Sequence, residues 1–192
     1  MENIKVSPKF KTQLLSDIVP DDPRIEELKY WCMEFEKCGL MPCHGSGSFG
    51  NLSFRAGKEA FIITASGFKD PSSDNSFVTV SSIDLEKKIV YAHGKKQPSS
   101  ESMLHYMIYR ERKDVNAVFH GHCEKILNNV DKLDMPSTLK EQPYGTIELA
   151  QSVLDVMGKN NFLIIKDHGF ISLGENMDKA GESALKVLRK LG

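Results

Sequence analysis

The 192-residue chain (21.6 kDa) is the size of one compact domain, and its 40% hydrophobic and 27% charged residues place it among chains that fold. Lys plus Arg total 25 and Asp plus Glu 26, a net charge of −1, so there is no broad basic field for a nucleic-acid backbone. The start, MENIKVSPKFK, has no apolar run after its lysines, and no stretch approaches the roughly 20 apolar residues that span a bilayer. Cys32, Cys38, Cys43 and Cys123 have neither disulfide-scaffold density nor a paired CxxC spacing, which fits reduced thiols in a cytoplasmic protein with no nucleic-acid or membrane partner.

From Asp22, DDPRIEELKYWCMEFEKCGL supplies an N-cap aspartate, a proline at the first helical position, and Ile25, Leu28, Trp31, Cys32 and Phe35 at helical spacing, with Gly39 as the stop. The glycine-rich loop HGSGSFGN follows, then the β-rich runs LSFR, AFIIT, SFVTV and KIVYAHG, with hairpin-length connections. Pro98, Ser99 and Ser100 cap a second helix striped with Met103, Leu104, Met107 and Ile108. NAVFHGH reads as a strand and 128–142 as a polar loop. Thr146 caps a third helix with Leu149, Val153 and Met157, FLIIK is a buried strand, and a closing helix from Asp178 carries Ala180, Ala184, Val187, Leu188 and Leu191. Strands and helices without repeat or linker predict one layered α/β domain over 1–192, with 1–20 as an N-terminal extension.

The strongest chemical signal is His120-Gly121-His122 at the end of an apolar strand, because side chains at i and i+2 project from one face and two imidazoles there can share a metal. The alternative is an interfacial stacking pair. Catalytic zinc typically takes three protein ligands and keeps an open position, and His168, just after a buried strand and before a glycine, is the candidate third ligand. His44 and His93 in loops and His105 in a helix read as ordinary solvated or packed histidines. Glu101 in the first turn of the second helix either caps it or faces a cleft and moves a proton. Gly45, Gly47 and Gly50 with Asn51, the turn Thr64-Ala65-Ser66-Gly67, and Ser99-Ser100 are plain turns or caps singly; together they offer donors for an oxyanion.

In chain order, GNLS (Gly50 to Ser53), TASG (Thr64 to Gly67), PSSE (Pro98 to Glu101), HGH (His120 to His122) and DHG (Asp167 to Gly169) resemble the class II aldolase/adducin family, and within it the fuculose-1-phosphate aldolase type. The resemblance covers about residues 25–190, including PYGTIELA before the third helix. It implies a layered α/β/α fold around a mainly antiparallel sheet. It also implies Zn2+ or another divalent ion on His120, His122 and His168, and Glu101 as the catalytic carboxylate. Gly50, Asn51, Ser66, Gly67, Ser99 and Ser100 would bind the phosphate or hold a small phosphorylated sugar. The implied activity is a metal-dependent lyase of carbohydrate metabolism that cleaves a phosphorylated ketose to dihydroxyacetone phosphate and an aldehyde, as a homotetramer with sites at subunit interfaces. A sugar-phosphate dehydratase and a non-catalytic adducin-like scaffold are the alternatives, although a scaffold has no need of an intact metal set. Glutamate at 101 argues against the related ribulose-phosphate epimerases, which have aspartate there. Relatives carry a longer tail with a catalytic tyrosine, whereas this sequence stops at Gly192 and has a shorter stretch between His122 and His168, in which Tyr144 is the available tyrosine.

Overall fold

A computed structural model describes residues 10–45 and 47–192, without the side chain of His44. The first strand, β1 (Lys11–Ser16), precedes helix α1 (Ile25–Lys37), and a two-residue ribbon, β2 (Cys43–His44) with β3 (Gly47–Ser48), leads into β4 (Gly50–Arg55). The β-rich runs then become β5 (Phe61–Thr64), β6 (Phe77–Asp84) and β7 (Ile89–His93), each antiparallel to the one before. Helix α2 (Ser102–Glu111), strand β8 (Ala117–Gly121), and two short turns, α3 (Glu124–Leu127) and α4 (Val130–Leu133), follow. Helix α5 (Ile147–Met157), β9 (Phe162–Ile165), β10 (Gly169–Gly174) and α6 (Met177–Arg189) complete the order.

Eight strands make one sheet in the order β1-β7-β6-β5-β4-β8-β10-β9, in which β1 and β7 are the parallel pair and every other neighbour is antiparallel. Alternation along the strands divides the side chains between two apolar layers. Leu52, Phe54 and Phe119 face Trp31 and Phe35 of α1 and Ala180 and Ala184 of α6. Ile63, Val118 and Ile171 face Met103 and Leu104 of α2 and Leu149 and Val153 of α5. The result is the expected α/β/α layering around a mainly antiparallel sheet.

Several local expectations shift. Helix α1 starts at Ile25 rather than directly after Asp22, following a turn at Pro23 and Arg24 in which the Asp22 carboxylate accepts from the Arg24 backbone N–H and guanidinium. In α2 the N-cap is Glu101, since Ser99 and Ser100 sit in a preceding turn whose Ser99 carbonyl accepts from Ser102. Thr146 does cap α5, accepting from the Leu149 N–H at 3.1 Å. The stretch 128–142 includes α4 and a bridge from Ser137 to Ile164, so it is ordered against the sheet edge. Residues 1–9 of the expected extension lie outside the described residues, whereas 11–16 of it form an edge strand of the sheet.

Candidate metal and acid–base site

The site gathers where three central strands end. On β8, His120 faces Asn51 of β4 on one side and Ile171 of β10 on the other, and Gly121 lies opposite Gly50 and Phe170. A Cβ at Gly121 would collide with the Leu40 carbonyl oxygen and the Phe170 ring, so only glycine lets the segment between the two histidines lie this close to its neighbours. The tight connection from β9 to β10 places His168: Asp167 adopts a left-handed conformation (φ 57°), and the His168 N–H donates to the Ile165 carbonyl at 3.1 Å. Glu101 enters from the opposite layer at the start of α2.

One ligand atom from each of Glu101, His120, His122 and His168 lies within 4.8 Å of the others. His120 Nε2 is 2.9 Å from His122 Nε2 and 3.1 Å from Glu101 Oε2, and His168 Nε2 is 3.2 Å from Glu101 Oε1. The last pair is close without hydrogen-bond alignment, and both atoms are buried with no hydrogen-bond partner. The Phe170 carbonyl, 2.9 Å from His120 Nδ1, can only accept, so Nδ1 carries the proton and Nε2 presents its lone pair to the cluster. Converging imidazole nitrogens beside a carboxylate with orphaned atoms suit a divalent cation, with Asn, Ser and backbone groups closing the surroundings.

Burial alone would raise the Glu101 carboxyl, but His120 beside it, and then His168, outweigh burial and hold the group well below the usual carboxylate range. Burial would likewise lower His120, yet the neighbouring Glu101 carboxylate raises it instead. His122, which lacks such a partner, is pushed down to about 3 by burial and then by His120 and His168.

A cavity of about 370 Å³ opens onto this cluster. Gly50, Asn51, Ser66, Gly67, Ser99 and Ser100 all line it, together with Glu101, His122 and His168, while His120 stands wholly buried behind. Among the described residues no lysine or arginine lines it.

Residues 26–128 match the sequence model of the class II aldolase and adducin N-terminal domain family. The chain belongs to this family. It is 28% identical over 170 residues to an L-fuculose phosphate aldolase of Haemophilus influenzae, covering 78% of this chain and 71% of that one. It is 30% identical over 151 residues to an L-fuculose phosphate aldolase of Methanococcus maripaludis, covering 70% and 77%. Among solved structures, an L-fuculose 1-phosphate aldolase superposes with a TM-score of 0.70 at 23% identity, over 90% of this chain and 86% of that chain. The family and the possible metal site make the chain an enzyme of the aldolase type, a lyase that can use a divalent metal.

Within this family member, several cavity features were not evident from sequence. Asn51 Nδ2 donates to Glu101 Oε2 at 2.7 Å, so the amide holds the carboxylate, and its Oδ1 is left buried and unpartnered. The Tyr144 ring lies edge-on to His168 with centroids 6.4 Å apart, on a loop pressed so closely to the Ser100 carbonyl that position 145 must be glycine. Phe10, Phe49 and Gln97 also line the cavity. The sequence offered Tyr144 as an available tyrosine without placing it, and nothing in the sequence pointed to Phe10.

Proposed function

We propose that the chain is a metal-dependent carbon–carbon lyase that cleaves a small phosphorylated ketose to dihydroxyacetone phosphate and an aldehyde. We assign it Zn2+ or a similar divalent ion, one catalytic domain per chain, a homotetrameric state and a cytosolic location. The observation that carries this reading is the convergence of His120, His122 and His168 on Glu101 at the floor of a cavity walled by serine and glycine turns. The phosphorylated substrate is supported by relatives named L-fuculose phosphate aldolase. No described helix is long and apolar enough to cross a membrane, and the cysteines are free.

When held by the three histidines, a divalent cation supplies positive charge for the carbonyl and hydroxyl oxygens of the ketose. Glu101 is the group that takes a proton from, or returns it to, the carbon at which the bond forms or breaks. Asn51 fixes the orientation of that carboxylate through one oxygen. Gly50, Ser66, Gly67, Ser99 and Ser100 hold the phosphate by N–H and O–H donors, since no lysine or arginine is among the described residues of the lining. Anchoring the phosphate there uses binding at the unreactive end to orient the reacting carbons.

The test is a screen of ketose phosphates with metal-loaded protein, following dihydroxyacetone phosphate release. A ketose phosphate should be cleaved, and Glu101→Gln should keep the metal while losing on the order of 100-fold or more in turnover. Full activity in Glu101→Gln would overturn the assigned role, and equal turnover of unphosphorylated sugars would overturn the phosphate site.

A further inference from the structure

Helix α2 buries every residue from Ser102 to Tyr109, eight in succession. A helix enclosed on all sides has no single apolar stripe to choose its rotation or its position along the sheet, so packing alone leaves its register weakly specified. Polar contacts to β4 supply what is missing. Asn51, Ser53 and Arg55 alternate along β4 and share one face, while Glu101, His105 and Tyr109 recur every four residues from the start of α2. Two strand residues advance about 6.6 Å and four helical residues about 6 Å, so the two series stay in step over three rungs.

All three rungs are made. Asn51 Nδ2 donates to Glu101 Oε2 at 2.7 Å. Ser53 Oγ lies 2.7 Å from His105 Nδ1 and 2.8 Å from the Tyr109 hydroxyl, all three groups being buried. The Arg55 guanidinium donates to the Tyr109 carbonyl at 3.0 Å and the Arg112 carbonyl at 3.1 Å, and lies over the Tyr109 ring at 4.7 Å. The last rung ties down the carbonyl end of the helix, where a cation is favoured. Sliding α2 by one residue would move Glu101 about 1.5 Å and turn it about 100°. It would then leave Asn51 and His120, which now lie 2.7 and 3.1 Å away.

We infer that Ser53, Arg55, His105 and Tyr109 are positioning residues that set the register of α2 on β4 and thereby aim the Glu101 carboxylate at the three-histidine cluster. The inference rests on the assignment of Glu101 as the proton-transfer group. Replacing a buried polar pair by apolar residues is often neutral for stability, so the ladder's value lies in the unique placement it enforces.

The test compares His105→Leu, which fills the space without a bond to Ser53, with His105→Asn, which keeps a polar atom near the Nδ1 position. The expected result for His105→Leu is a kcat lower by on the order of 10- to 100-fold with KM within about twofold, largely recovered in His105→Asn. In cobalt(II)-substituted protein the absorption bands should shift in His105→Leu and return in His105→Asn. Wild-type kcat and an unchanged cobalt spectrum in His105→Leu, whatever happens to its melting temperature, would overturn the inference. If the wild-type protein cleaves no ketose phosphate, the functional reading fails and the cobalt spectra alone decide the ladder. Should His105→Leu fail to fold, Ser53→Ala removes the shared oxygen and carries the same two expectations.

Discussion

A histidine enclosed one turn beyond Glu101 has no room for a second proton. Burial pushes His105 down to about 3 from an ordinary value near 6.5, with Glu101 offsetting only part of the effect. The unfolded chain therefore binds one more proton at this residue below pH 6.5, so its contribution to stability is complete above that pH and declines as pH falls toward 3. The slope is about 1.4 kcal/mol per pH unit for one proton. Denaturant titrations of metal-free protein at pH 5, 6 and 7 should show a shallower pH dependence in His105→Asn than in wild type, by about one proton. Identical slopes would mean that His105 is protonated in the folded state. Legibility at this scale followed periodicity. The pairing of His120 with His122 was readable because strand geometry alone puts i and i+2 on one face, and the two imidazoles do come together. The role of His105 was not, because its partner Ser53 is distant in sequence and nothing in the helix signals which strand it meets; the only trace is the N-x-S-x-R spacing against E-x3-H-x3-Y. Asn51, read as a substrate contact, lines the cavity, and its bond to Glu101 was not visible in the sequence because the two positions are 50 residues apart.

Among elements, the end of β8 is the most constrained, since it carries two of the three candidate ligands past its neighbours. A methyl group at position 121 meets the Leu40 carbonyl and the Phe170 ring, and backbone cannot yield as a flexible side chain can. Gly121→Ala should cost about 1–3 kcal/mol in stability. It should also weaken metal binding about 10- to 100-fold by displacing His120 and His122. Urea denaturation and metal titration check the two effects, and wild-type values in both would show that the strand end has slack. Strands β4 to β8 were legible as β-rich runs between glycine and proline breaks. Strand β1 was not: its side chains are largely exposed, so it lacks the alternation that marks a half-buried strand, and it is held instead by pairing with β7. Strand β10, GFISLG, is buried throughout and bracketed by glycines, a pattern that periodicity does not separate from a loop.

For the whole molecule, the layered class followed from interleaved strand and helix patterns, but the strand order did not. β8 returns to pair with β4 across the β5–β7 meander and α2, and that long-range pairing is what brings Asn51, His120 and the turn bearing His168 to one end of the sheet. The cavity there opens past Phe49 and Tyr144, which are 43% and 36% exposed, and an aromatic rim of this kind suits coverage by a neighbouring subunit. Light scattering at micromolar concentration should give a tetramer; a fully active monomer would show that one chain completes the site. In the proposed reaction Glu101 moves a proton at carbon beside a divalent metal held by His120, His122 and His168, a step that can be followed without knowing the aldehyde. Dihydroxyacetone phosphate incubated in D2O with metal-loaded protein should acquire one deuterium at the hydroxymethyl carbon, followed by NMR, and the exchange should vanish in Glu101→Gln and on chelation. Metal-loaded wild-type protein that leaves every carbon-bound proton in place would contradict a proton-transfer role for Glu101.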